Sequence, residues 1–245
     1  MLKGKNAVIT GSNRGIGRAA VERFAENGAN IWACARCYSE EFEKDMVELA
    51  EKYGVRIKPV YFDLSKSEEI EHGMKEIFSD RLDVDILLNN AGVAHGALFM
   101  MTSIETMKQI YEVNVFAQVQ IMQLCARKMM RQKSGCIINM CSVGGINTDP
   151  GYLAYGSSKA ALAWITKSVS RELGRYNIRV NGIAPGLIDT DMGMYKTQEE
   201  LERVRKKMSL DRTGKPVEVA DAAVYIASDK ASYMTGHILV LDGGR

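Results

Sequence analysis

The chain has 245 residues, 46% of them hydrophobic and 25% charged, which suits one large domain or two small ones with a sizeable core. Its 32 basic and 30 acidic residues are mixed along the chain and leave a formal net charge of +2, so neither a nucleic-acid track nor a membrane-seeking surface is indicated. No apolar run approaches the roughly 20 residues that span a bilayer, and the opening "MLKGKNAVIT" lacks the long apolar segment of a signal peptide, so a cytoplasmic location is expected.

The first strand-like run is "NAVIT" (6–10), followed directly by the turn "TGSNRGIG", in which Gly11, Gly15 and Gly17 open a helical pattern. Glycines let a backbone turn tightly against a pyrophosphate, and bare N–H groups at a helix start hold an anion. A glycine-rich turn alone also reads as a plain strand-to-helix connection. Here it sits in a strand-turn-helix-strand unit of about 30 residues, the context that dinucleotide binding requires. The second strand, "NIWACA" (30–35), ends in Ala35 where an acid would favour NAD. Arg36 follows and Arg14 lies within the glycine turn, so two guanidinium groups can converge on the 2′-phosphate of NADP(H); the alternative is two solvated surface arginines.

"EEFEKDMVELAEKYG" carries apolar residues at helical spacing, and "IKPVYF" (57–62) reads as a third strand. Asp63 after it suits the adenine amino group or a helix N-cap. "VDILLN" (84–89) is a fourth strand, followed by a helical pattern over about 104–132. "CIINMCS" (136–142) is a fifth strand, a second helical pattern covers about 152–175, and "IRVNGIA" (178–184) is a sixth strand. The segment 189–212, unusually charged, is expected to form an inserted lid over the substrate. "PVEVADAAVYIAS" places Pro216 in a first helical turn, and "HILVL" (237–241) is a seventh strand. Near-continuously apolar strands alternating with helices predict an α/β fold of Rossmann type, doubly wound, with a seven-stranded mostly parallel sheet covered on both faces. With no repeat or linker, residues 1–245 are expected to form a single dinucleotide-binding and catalytic domain.

Five cysteines, an odd number, are expected as reduced and mostly buried thiols; Cys34 and Cys37 form a CxxC without a second pair, so no metal is expected.

In "DPGYLAYGSSKAAL" (149–162), Tyr155 and Lys159 are four apart and share a helix face. Tyr152 is seven from Lys159, roughly 10 Å along a helix axis, too far for steady pairing. An ammonium about 4 Å from a phenolate at an effective dielectric near 20 is worth up to roughly 4 kcal/mol, so Lys159 is expected to lower the Tyr155 pKa by up to about three units before desolvation opposes it. The small residues "GSSKAA" are expected to leave room for a cofactor ring and a substrate.

"TGSNRGIG", "NNAG" (89–92), Asn114 in "VNVFA", Ser142 in "NMCSVGG", "YGSSK" and "RVNGIAPGLIDT" (179–190) stand in the order and spacing of the short-chain dehydrogenase/reductase family, which the chain resembles along nearly its whole length. Within it the chain is most similar to the 3-oxoacyl-(acyl-carrier-protein) reductases. The resemblance implies that Tyr155 protonates the carbonyl oxygen of a ketone while a nicotinamide gives a hydride, and that Ser142 holds that oxygen. Lys159 would meet the nicotinamide ribose and Asn114 a relay water, while Tyr152 would face the substrate. By itself Ser142 reads equally as a strand-end cap and Asn114 as a buried amide. Gly11, Ser12, Arg14, Gly15, Ile16 and Gly17, with Arg36, Asp63 and Leu64, would hold the adenosine and phosphates. Asn90, Ala91 and Gly92, with Pro185, Gly186, Ile188 and Thr190, would line the nicotinamide end.

The family resemblance also implies homotetramers, through apolar faces on the two long helices and through the last strand. Basic Lys128, Arg131, Lys133, Arg171 and Arg175 suit either an acyl carrier protein or solvent. After "NNAG" this chain reads "GVAHGALFMMTS" in place of the reductases' usual run, either loop variation or a different ketone, and places His95, Met100 and Met101 near the expected substrate mouth. The function expected is NADPH-dependent reduction of a 3-oxoacyl thioester. The alternatives are another ketone or alcohol (steroid, sugar or quinone) and a non-catalytic NADP-binding regulator.

Overall fold

The computed structural model describes residues 1–191, 202, 205, 206 and 208–245. Seven strands, β1 (Asn6–Thr10), β2 (Asn30–Ala35), β3 (Ile57–Tyr61), β4 (Ile86–Asn89), β5 (Gly135–Met140), β6 (Ile178–Pro185) and β7 (Ile238–Leu241), form one sheet in the order β3-β2-β1-β4-β5-β6-β7. Every pairing is parallel, so the expected mostly parallel sheet is wholly parallel. The chain winds outward from β1 to β3, then restarts at β4 on the other side of β1. That reversal leaves a crevice at the carboxyl ends of β1 and β4.

Alternate strand residues feed two cores. Ala7 and Ile9 of β1 join Phe24 of α1 (Gly15–Glu26), Met46 of α2 (Glu40–Tyr53) and Val224 of α7 (Pro216–Ala227). Val8 between them joins Met74 of α3 (Ser67–Ser79) and Ile121 and Cys125 of α5 (Ala117–Gln132) on the opposite face. Burial on both faces is why the strands read as unbroken apolar runs. Phe24 is wholly buried, so truncating it to Ala would cost about 3–5 kcal/mol. The helix ends follow local chemistry: Ser39 accepts from the Phe42 N–H to start α2, left-handed Gly54 ends it, and Pro216 opens α7.

The helix expected over 104–132 is interrupted. It is α4 (Ile104–Tyr111), a π-helical turn (Glu112–Phe116) and α5. A π turn adds a residue without disturbing the apolar pattern, so periodicity cannot register it. The second long helix is α6 (Leu153–Leu173). Most of the expected lid at 189–212 lies outside the described residues. Four cysteines are buried and Cys37 is exposed; burial pushes the Cys125 thiol up to about 12 and those of Cys136 and Cys141 up to about 11. Among the described residues no helix is long and apolar enough to cross a membrane.

Candidate active site

The crevice at the sheet's switch point opens into a cleft of about 380 Å³. Its floor is the glycine turn. Gly11 (φ 68°) and Gly15 (φ 56°) are left-handed. At Gly17 a Cβ would stand 1.9 Å from the Gly11 carbonyl oxygen, so only glycine lets α1 begin this close to β1. The side chain of the N-cap residue Arg14 does not cap α1, and the helix's first turn holds no acid, so its bare N–H groups and positive end face the cleft. This is a cradle for a pyrophosphate, and it fits a dinucleotide.

Thr10 welds the two halves of the floor. Its Oγ1 accepts from the N–H groups of Asn90 and Ala91, each at 3.0 Å, while Asn90 Nδ2 donates to the carbonyls of Thr10 (2.9 Å) and Gly11 (3.2 Å). Ser12, expected to touch the cofactor, does not line the cleft. It is fully buried with its Oγ donating to the Ile9 carbonyl at 2.8 Å, and its neighbour Asn13 lines the cleft instead.

At the adenosine end Arg14, Arg36, Asp63 and Leu64 all line the cleft, beside Ala35 at the end of β2. Arg14 is engaged: its Nη1 donates at 3.2 Å to Asp191 on the opposite lip, where both side chains are well exposed. Asp63 Oδ1 accepts from the N–H and hydroxyl of Ser65, each at 2.8 Å, in a turn that leads into α3. Those bonds, backbone first, hold its carboxyl below the usual range, helped in lesser part by Arg36.

The opposite wall is the turn after β5 and the start of α6. Ser142 Oγ accepts from the Gly144 N–H at 3.1 Å, so it caps the strand end, and it lines the cleft beside Tyr155. Burial raises the Tyr155 pKa above the ordinary phenol value, against the opposing influence of Ser142. Lys159 is buried and donates at 2.8 Å to the Met140 carbonyl; burial takes its pKa down to about 8. The expected depression of Tyr155 by Lys159 is not seen: desolvation dominates both groups, raising one and lowering the other.

The small residues of "GSSKAA" also do something other than leave space. A Cβ on Gly156 would meet the Gly144 carbonyl oxygen at 2.6 Å, and one on Gly145 the Ala160 nitrogen at 2.6 Å, so glycines bring the Ser142 turn flush against α6. Asn114, on the π turn, does not reach the cleft. Its Oδ1 accepts from the Val93 N–H (2.9 Å), and its Nδ2 donates to the Val93 carbonyl (2.9 Å) and Ser158 Oγ (3.0 Å). The spot where a Gly92 Cβ would stand is 3.1 Å from Asn114 Oδ1 and 3.2 Å from Lys159 Nζ, so both polar atoms flank one point behind the cleft wall.

Gly92, Ser142, Tyr152, Tyr155, Lys159, Ile16, Pro185, Gly186, Ile188 and Thr190 line the cleft. His95, Met100 and Met101 do not; both methionines are exposed, and the buried Nε2 of His95 has no partner among the described residues. Sequence reasoning missed Arg245, which lines the cleft and pairs with Asp149. Neither lies in a motif, and only the fold brings them together.

The family model described as enoyl-(acyl carrier protein) reductase matches residues 11–245. A 3-oxoacyl-(acyl-carrier-protein) reductase of Aquifex aeolicus is 36% identical over 99% of this chain and 98% of its own. A 3alpha-hydroxysteroid dehydrogenase of Mediterraneibacter gnavus is 37% identical over 99% of this chain and 97% of its own. A short-chain dehydrogenase of Burkholderia cenocepacia, solved in complex with NADP, superposes with TM-score 0.91 at 28% identity, covering 99% of this chain and 98% of that one.

Proposed function

The chain belongs to the short-chain dehydrogenase/reductase family of nicotinamide-dependent oxidoreductases, and we propose that it uses NADPH to reduce the ketone of a 3-oxoacyl thioester to the 3-hydroxyacyl product. The observation that carries this reading is that Ser142, Tyr155 and Lys159 line one wall of the cleft that the glycine turn opens, with Lys159 buried against the Met140 carbonyl. It is supported by the full-length likeness to 3-oxoacyl-(acyl-carrier-protein) reductases. Residues 1–245 act as one dinucleotide-binding and catalytic unit, in a cytoplasmic homotetramer.

The cofactor, when bound, supplies the hydride. The bare start of α1 and the turn from Gly11 to Gly17 hold its pyrophosphate. Arg36, with Arg14 released from Asp191, holds the 2′-phosphate. Ser142 Oγ and the Tyr155 hydroxyl bind the substrate's carbonyl oxygen from one side. The raised pKa keeps Tyr155 protonated at neutral pH, so it enters the reaction as a proton donor, and the Ser142 hydroxyl shares the charge that develops on the substrate oxygen. Lys159 re-supplies that proton, and Asn114 Oδ1, flanking the same point, anchors the water through which Lys159 is recharged. Lys128, Arg131, Lys133, Arg171 and Arg175 offer an acidic carrier protein a docking surface.

Steady-state rates with NADPH on acetoacetyl thioesters, sugar ketones, quinones and steroids test the reading; absence of thioester reduction overturns it. The hydroxysteroid dehydrogenase relative supports a second reading, a steroid ketone or alcohol in the same cleft, which the same panel separates.

A further inference from the structure

The cleft is lined by a cation that the mechanism does not use. Arg245 lines the cleft with its side chain only 18% exposed. Its approach is fixed from several sides. Asp242 packs so closely on Gly186 that a Cβ there would stand 2.8 Å from the Asp242 Cα. The carbonyls of Gly243 and Gly244 accept from the Leu210 N–H and the Ser209 hydroxyl, each at 3.0 Å. Arg245 itself gives Nη2 to Asp149, three residues ahead of Tyr152 in the segment leading into α6. The guanidinium therefore lines the cleft beside the segment that leads to Tyr152 and α6.

A guanidinium has five N–H donors, and among the described residues only Nη2 is bonded. The remaining donors belong to a largely buried group, so a ligand oxygen that meets them is favoured. Asp149 already balances the charge, which makes the pair a poor partner for a second full anion and a good one for a neutral, polarised carbonyl. A 3-oxoacyl thioester has such an oxygen, one methylene away from the carbonyl that Ser142 and Tyr155 hold.

We infer that Arg245 is a specificity-determining residue, whose free guanidinium edge donates to the non-reacting carbonyl oxygen of a β-dicarbonyl substrate. This rests on the ketone-reductase reading and deepens it. An enzyme with this contact favours a 3-oxoacyl thioester over a mono-ketone, because the mono-ketone leaves the donors unpaired.

The test compares kcat/KM with NADPH for the N-acetylcysteamine thioester of acetoacetate, for free acetoacetate and for 2-heptanone, in wild type, Arg245→Met, Arg245→Lys and Asp149→Asn. Arg245→Met is expected to lower the thioester value about tenfold, the loss of one hydrogen bond to a charged donor, and to move the 2-heptanone value less than about twofold. Arg245→Lys should fall between, and Asp149→Asn should keep the thioester preference because the guanidinium remains. NADPH affinity, read by fluorescence, should not change. If Arg245→Met and Asp149→Asn lower the thioester and 2-heptanone values alike, Arg245 is only a tether for the Tyr152 turn and the inference fails. Equal wild-type values for the thioester and 2-heptanone overturn it while leaving ketone reduction intact. Preference for free acetoacetate overturns it in favour of an anion site. Wild type that reduces none of these compounds removes the ketone-reductase reading and this inference together.

Discussion

The ammonium of Lys159 stands 6.0 Å from the centroid of the Tyr155 ring and gives its hydrogen bond, at 2.8 Å, to the carbonyl of Met140. One helical turn brings the two side chains onto a shared face, but the lysine stem continues past the phenol to the end of β5. Burial then dominates both groups, raising the Tyr155 pKa and lowering that of Lys159 to about 8. Near neutral pH the phenol holds its proton and the ammonium holds its own, a charge state poised for reduction.

The pH dependence follows with its sign. Lys159 is charged below about 8 and neutral above, and Tyr155 titrates above the ordinary phenol range. The kcat/KM for ketone reduction, which reports the free enzyme, should be level from pH 6 to 7.5 and fall above about 8 as Lys159 loses the proton it relays. A profile still level at about pH 9.5 would mean that the lysine charge is not required.

Tyr155→Phe keeps the ring packed and removes only the proton donor, so kcat should fall by about 10²–10⁴ while NADPH affinity stays within about twofold. Retention of more than about a tenth of wild-type kcat would remove Tyr155 from the donor role.

Gly92→Ala tests the space behind the cleft wall. Its Cβ would stand 3.1 Å from Asn114 Oδ1 and 3.2 Å from Lys159 Nζ, and its three nearest neighbours are all side-chain atoms, so the fold should tolerate it. The relay should not: kcat should drop about tenfold while Tm moves by only a few degrees. An unchanged kcat would show that no proton passes that point.

Arg36→Asp replaces a guanidinium at the adenosine end by a carboxylate beside Asp63, which already lines the cleft. Loss of a charge-assisted bond worth about 1.5–3 kcal/mol should lower kcat/KM for NADPH by about 10- to 100-fold, and NADH should become the better cofactor. If the wild-type enzyme already prefers NADH, the reading of Ala35 and Arg36 is wrong.

What the sequence revealed and what it concealed divide along a physical line. Glycines at 11, 15 and 17 and the Tyr155–Lys159 spacing were legible because their geometry is local, a turn or one helix face. The π turn at Asn114 was hidden because the apolar pattern runs through it unbroken. Ser12 looked like a phosphate contact because it lies among the glycines, yet its hydroxyl turns inward to the Ile9 carbonyl. The partner of Lys159 is on β5, and Arg245 meets a carboxylate 96 positions away, so no local pattern announces either.

Assembly is the last expected outcome. The face shared by α5 and α6 carries an apolar groove lined by Val115, Phe116, Val119, Trp164, Ile165 and Val169. Trp164 is 70% and Phe116 56% exposed, although each helix already buries another face against the sheet. A helix needs one apolar stripe to cover a sheet, and a second stripe is stable in water only when something covers it. The groove is self-complementary in kind, a Trp and a Phe beside branched aliphatics, as a two-fold contact between copies requires. At the far edge of the sheet, β7 has no neighbouring strand on its outer side among the described residues and leaves Val240 43% exposed, an open ladder that a second copy can pair. Two such contacts generate a tetramer of identical chains. Light scattering at micromolar concentration should therefore give four times the 27.2 kDa chain mass. Trp164→Glu, which sets a charge in the centre of the groove, should reduce the particle to a dimer that retains the β7 contact. A wild-type monomer with full activity would refute both interfaces, and a wild-type dimer unaffected by Trp164→Glu would leave β7 alone as the contact.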